Sequence, residues 1–196
     1  EEANRLNQRN CISGFKAVPL ALDQRVGSRI LNITRHRGYC SFLKPDLESD
    51  WFKYCRRLEG EIESTILVQT TTVDQFVEET KLGRIDFMKL DTEGTELDIL
   101  VGAQNQLSKN VLGLRCEVSF QRSYADMALF GDIHHFLLSR DFILLNFDYF
   151  GKGIPRINLI RNPDPSLPDF SRYGVLVGTD AVWLKSTAWF VDRFKV

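Results

Sequence analysis

The chain has no surplus of charge, no long apolar run and no clustered cysteines, and each absence removes a class of function. Its 25 Lys and Arg stand against 26 Asp and Glu, a formal net charge of −1, and the signs are interspersed. That leaves no electrostatic footprint for nucleic acid or an anionic membrane surface, so a small-molecule partner fits better. No stretch approaches the ~18 apolar residues that span a bilayer, and Glu1-Glu2-Ala3-Asn4-Arg5 has neither the basic start nor the apolar centre of a signal peptide. The expectation is a cytoplasmic protein. Cys11, Cys40, Cys55 and Cys116 lie at unrelated spacings without a Cys-x-x-Cys pair, which signals neither zinc nor a disulfide framework; they read as reduced packing residues. There is no internal repeat and no low-complexity tract. With 196 residues, 43% of them hydrophobic, a single domain over 1–196 is expected, burying roughly 70% of the surface of its unfolded chain.

What is present alternates in period. Residues 3–10 read as a helix, and Phe15 to Ala21 and Arg29 to Thr34 as strands, the second after a turn at Gly27-Ser28. His36 to Gly60 reads as a loop with one helical turn near Trp51 to Arg56. Glu63 to Gln69 is a strand, and Thr72 to Gln75 has capping-box spacing at the start of a helix running to about Leu82. Strands near 85–90, 112–118 and 142–147 alternate with two helices. One, from about Glu93 to Leu107, presents Leu97, Leu100 and Val101 on one face; in the other, Asp132 caps a turn that buries Ile133, Phe136 and Leu137. This alternation argues for an α/β fold with a parallel sheet covered on both faces. Asp180 to Leu184 is the last strand. The long Gly/Pro-bearing segment 148–174 reads as a lid or substrate loop.

Two strands end in carboxylates: Lys89-Leu90-Asp91-Thr92-Glu93-Gly94-Thr95-Glu96 and Cys116-Glu117-Val118. In open α/β sheets ligands bind in the crevice outside the strands' carboxyl ends. Asp91, Glu93 and Glu117 are therefore expected to converge at one rim of the sheet. Alternation puts Lys89 on the same face as Asp91, either as a functional partner or as a structural ion pair. Glu96 needs no role beyond favourable charge in a helix's first turn. His134 and His135 point about 100° apart and read as packing or surface residues, and His36 as a solvated loop residue.

Several stretches together resemble the FkbM family of S-adenosylmethionine-dependent methyltransferases. They are Thr72-Val73-Asp74 before a helix; Asp86 through Glu96 with Leu100 and Gly102-Ala103; Glu117-Val118 ending the next strand; then Asp141-Phe142 and Gly178-Thr179-Asp180. The resemblance implies a Rossmann-like class I methyltransferase sheet, mostly parallel with an antiparallel last strand. It further implies methyl transfer from S-adenosylmethionine to a hydroxyl of a sugar or natural-product acceptor. A fold of this kind opens with a strand, a glycine-rich turn and a second strand ending in a ribose-binding acid. The sequence contains none of these, and they are expected before residue 1.

Under that resemblance Asp91 is the first choice of general base, with Glu93, Lys89 and Glu117 beside it, and Asp23, Asp91 and Gly94 facing the cofactor. Tyr124, Tyr149 and Trp183 either line an acceptor pocket near the lid, since aromatic faces suit sugar rings, or are simply core, the commoner case for aromatics near strand ends. No metal site is assigned. The rival readings are a non-catalytic binding or scaffold module of the same fold, and a nucleotide-sugar-dependent or related nucleotide-dependent enzyme.

Overall fold

The computed structural model describes residues 2–9, 14–150 and 176–194. In chain order the elements are α1 (Glu2–Arg9), β1 (Ala21–Leu22), β2 (Gly27–Thr34), a 3-10 turn (Arg37–Tyr39), a π-turn (Phe52–Arg56) and β3 (Ile62–Thr71). They continue with α2 (Val73–Thr80), β4 (Phe87–Leu90), α3 (Glu96–Val101), α4 (Gln104–Lys109), β5 (Gly113–Ser119), α5 (Phe130–Leu138), β6 (Phe142–Phe150), β7 (Gly178–Lys185) and α6 (Thr187–Phe194). The strand expected over Phe15 to Ala21 shrinks to two residues; Pro19 within it has no N–H for a ladder.

Local signals explain where the helices begin and break. Thr72 Oγ1 accepts the Gln75 N–H at 3.0 Å and starts α2, but the Gln75 side chain turns to Glu79 at 2.7 Å, so only half of the capping box forms. Asp132 acts from inside α5, accepting the Leu129 N–H at 2.9 Å, rather than standing in front of the helix. The single helix expected over Glu93 to Leu107 is two short ones. At the break, a Cβ on Gly102 would lie 2.2 Å from the Asp23 carbonyl oxygen, an approach only glycine permits. Asp74 of α2 then caps the restart, accepting from the Asn105 and Gln106 N–H groups at 2.9 and 3.0 Å.

The strands form two sheets, ordered β1-β3-β2 and β4-β5-β7-β6. Only β1–β3 and β4–β5 pair in parallel. Since β7 runs antiparallel to both β5 and β6, β4, β5 and β6 share one direction and β7 alone opposes them. The last strand is antiparallel as expected and inserts between β5 and β6, so the larger sheet is mixed: three of its four strands run alike, while most of its pairings are antiparallel. Strand periodicity reveals faces, not neighbours.

One face of the larger sheet carries the core: Met88, Leu90, Leu114, Cys116, Val118 and Trp183 are buried against Ile99, Leu100, Leu107, Ile133 and Leu137 of α3–α5. The opposite face is open among the described residues. Its row Phe87, Gly113, Leu184, Ile143 runs across all four strands, and Phe87, Leu184 and Ile143 are 53%, 37% and 47% exposed. Where helices are expected on both faces, α2 through α5 all contribute to the core on one side among the described residues.

Candidate active site

The parallel register of β4 on β5 pairs Leu90 with Cys116, and continuing it by one residue sets Asp91 beside Glu117. After Asp91 the chain does not enter a helix at once. Glu93 (φ 57°) and Gly94 (φ 100°) both adopt left-handed backbone conformations, a turn in which glycine carries no strain. The buried Glu96 carboxylate ties the turn together, accepting from Thr92 N–H at 2.7 Å, Thr92 Oγ1 at 3.0 Å and Gly94 N–H at 3.0 Å. The expectation that Glu93 lies in the first helical turn is therefore corrected. Glu96 does lie there, but as the clamp of the preceding loop.

This turn swings Glu93 back toward the strand ends. One carboxylate oxygen from each of Asp91, Glu93 and Glu117 falls within 4.8 Å of the others. Glu93, Gly94 and Glu117 line a cavity of about 290 Å³, together with Tyr124, Tyr39, Trp51 and Met127. Desolvation, with Glu96 and Asp91 adding repulsion, pushes the Glu93 carboxyl up to about 7, although the Tyr124 hydroxyl donates to its Oε2 at 3.0 Å and opposes the rise. Burial, then the charges of Glu93, Glu96 and Asp91, pushes Glu117 up to about 8. No donor reaches the Glu117 carboxylate among the described residues. Two carboxyls poised near neutral pH beside a cavity suit proton transfer, and three hard oxygen donors at this separation also match a divalent cation's ligand set.

The remaining predicted residues separate. Lys89 and Asp91 form an ion pair, half exposed at 50% and 52%, and the carboxylate raises the Lys89 ammonium pKa. Asp91 reaches the acidic cluster but is not part of the cavity lining. Asp23 is not brought to the site: it is buried and bound by Arg29 at 2.8 Å, and the same guanidinium holds Asp98 at 2.9 Å. Trp183 is a core residue, fully buried and donating to His134 Nδ1 at 3.2 Å, so of its two expected roles the core one holds and the acceptor-pocket one does not. His134 stacks on Phe130 as a packing residue should, and His36 Nδ1 accepts the Gly38 N–H. Cys40, Cys55 and Cys116 are free. Cys11, the Tyr149 side chain and residues 151–174 of the expected lid lie outside the described residues.

Sequence reasoning missed two parts of the site. Asp180, paired with Glu117 across β5–β7, is held by Arg115 Nε at 2.8 Å, and this keeps a fourth nearby carboxylate matched to a cation. The cavity's aromatic wall comes from two loops, Tyr39 and Trp51 from the one before β3 and Tyr124 from the one after β5, and Phe52 behind them packs edge to face on Tyr39 and Tyr124 at 5.5 and 5.6 Å. No local signal marks these rings as facing strand ends so distant in sequence.

The turn formed by the Lys-x-Asp-x-Glu-Gly-x-Glu stretch Lys89 to Glu96 brings Asp91 and Glu93 to Glu117 of the next strand. Residues 2–144 match the sequence profile of the family described as Methyltransferase FkbM domain. The chain belongs to the FkbM methyltransferase family. The match ends inside β6, so it spans the whole acidic cluster of this FkbM domain together with Tyr124. No curated protein and no solved structure matches the chain. Among the described residues of the FkbM domain no helix is long and apolar enough to cross a membrane.

Proposed function

We propose that this FkbM methyltransferase transfers a methyl group from S-adenosylmethionine to a hydroxyl of a sugar or natural-product acceptor. The observation that carries the reading is the convergence of Asp91, Glu93 and Glu117, two of which, Glu93 and Glu117, line a cavity with an aromatic wall. An alkyl hydroxyl is a weak nucleophile while protonated, and a positioned base contributes typically ~10²–10⁴-fold.

Glu117 is the better-placed base than Asp91, since its carboxylate faces the cavity without a protein donor and titrates near 8. Glu93, oriented by Tyr124, accepts a second acceptor hydroxyl or shares the transferred proton. Lys89 and Asp91 set the field at the rim, and Asp91 and Gly94 are the residues proposed to meet the cofactor. When bound, S-adenosylmethionine supplies a methyl group on a positively charged sulfur. A carboxylate rim suits that charge. Holding the acceptor oxygen in line with the methyl carbon supplies up to ~7–11 kcal/mol, the work assigned to Tyr39, Trp51 and Tyr124.

Calorimetry on the intact protein with S-adenosylmethionine, S-adenosylhomocysteine, a nucleotide sugar and a nicotinamide cofactor tests the reading. Binding of the first two alone supports methyl transfer. Binding of the nucleotide sugar or the nicotinamide cofactor moves the protein to nucleotide-dependent chemistry, and binding of none leaves a non-catalytic module.

A further inference from the structure

We infer that the acceptor site is bipartite, with Met127 as a displaceable partition between the cavity described above and a second one of about 270 Å³. The inference rests on the methyltransferase reading only in calling the bound molecule an acceptor. Gly94, Met127 and Ala128 line both cavities, so the two are neighbours sharing one wall. The second is also lined by Leu43, Leu97, Arg122, Asp98, Asp126 and Asp132.

Three features make that wall movable. Gly94 has no side chain, and Met127 packs close against it: a Cβ there would lie 3.2 Å from Leu43 Cδ1, 3.2 Å from Met127 Cβ and 3.5 Å from Met127 Cε. Methionine is unbranched, with three rotatable bonds, and adapts to irregular space. Its sulfur, a weak acceptor, serves three donors: Ser123 N–H at 3.1 Å, Ser123 Oγ at 3.6 Å and Tyr124 N–H at 3.4 Å. A hydroxyl or ether oxygen is a stronger acceptor than a thioether. A ligand that brings one to this point gains donors already aimed and releases the sulfur from them.

Size points the same way. A cavity of about 290 Å³ sits at the lower limit of the ~300–1,000 Å³ that ligand pockets occupy, whereas the joined pair falls well within it. The acceptor class this selects is a two-ring hydroxylated molecule, a disaccharide or an aryl glycoside. One ring lies among Tyr39, Trp51 and the carboxylates, the other beyond Met127, and the linking oxygen sits at Ser123 and Tyr124.

Met127 stands on the wall and Met88 is buried in the helix-side core, so methyl-¹³C-methionine labelling, with each signal assigned by its loss in a single substitution, gives one reporter on the wall and one internal reference. Glucose against cellobiose, and phenol against phenyl glucoside, are titrated into the intact protein. The two-ring member of at least one pair should move the Met127 signal, leave Met88 in place and bind more tightly than its one-ring partner. In Met127→Ile, stiff at χ1, the ratio of two-ring to one-ring affinity should fall roughly tenfold, the low end for a misplaced methylene in a pocket, and Met127→Ala should restore it. Equal binding within both pairs, an unmoved Met127 signal, no binding by any probe, or both affinities falling together in Met127→Ile overturns the partition. Calorimetry with S-adenosylhomocysteine on the same sample separates the two claims. Absent cofactor binding with two-ring selectivity intact removes the methyltransferase reading and keeps the partition; intact cofactor binding with no selectivity does the reverse.

Discussion

Replacing Glu117 by Gln removes a charge that the folded protein holds against desolvation, and this makes the variant more stable as well as less active. The Glu117 carboxyl titrates at about 8 in the folded state against 4.5 for an ordinary glutamate. A folded-state pKa above the unfolded one means that stability is present in full below pH 4.5 and is lost as pH rises toward 8. At ~1.4 kcal/mol per pKa unit the loss would reach ~5 kcal/mol in a dry site. Glu117 borders an open cavity, and water there screens the charge, so roughly 2–3 kcal/mol is expected. For a chain of this length each kcal/mol moves Tm by ~2–4 °C, so Glu117→Gln should unfold about 5–10 °C above the wild type at pH 8.5 and at nearly the same temperature at pH 4.5. Thermal unfolding followed by circular dichroism across that range reads the difference directly. Turnover should drop by at least ~10²-fold, the low end for loss of a base. A Tm difference that does not change with pH refutes the electrostatic reasoning, whatever happens to turnover.

The other expectations follow from single contacts. Tyr124→Phe removes the hydrogen bond that holds the Glu93 carboxyl down, so the acidic limb of the pH-rate profile should move upward; an unmoved limb takes Glu93 out of the chemistry. Asp91→Asn breaks a half-exposed ion pair worth at most ~1 kcal/mol, so Tm should hold. A turnover loss under ~10-fold would then keep the base assignment on Glu117, since losing a true base costs ~10²-fold or more. Gly102→Ala drives a methyl group into the Asp23 carbonyl and should cost on the order of 1–3 kcal/mol, the usual range for overpacking, seen in urea unfolding. Asp74→Ala uncaps α4 and should cost ~1 kcal/mol, with hydrogen exchange accelerating first in 104–109.

What the sequence determined by itself is the local and periodic part. The strands at 87–90 and 113–119 and the threonine cap at Thr72 come from interactions within a few residues, which a reader of the chain can evaluate. So does the order of the acidic motif, and with it the family. Tertiary structure alone decided the rest. Glu93 faces a cavity instead of a helix because the Glu96 carboxylate gathers the N–H groups of a left-handed turn. Helix α3 stops because the backbone of Asp23, remote in sequence, passes against Gly102. The strand β7 lies between β5 and β6, a choice of neighbour that periodicity does not carry. The proposed base is Glu117 rather than Asp91 because desolvation depends on what surrounds a group, and the cavity that Glu117 lines is walled by chain segments far apart in sequence.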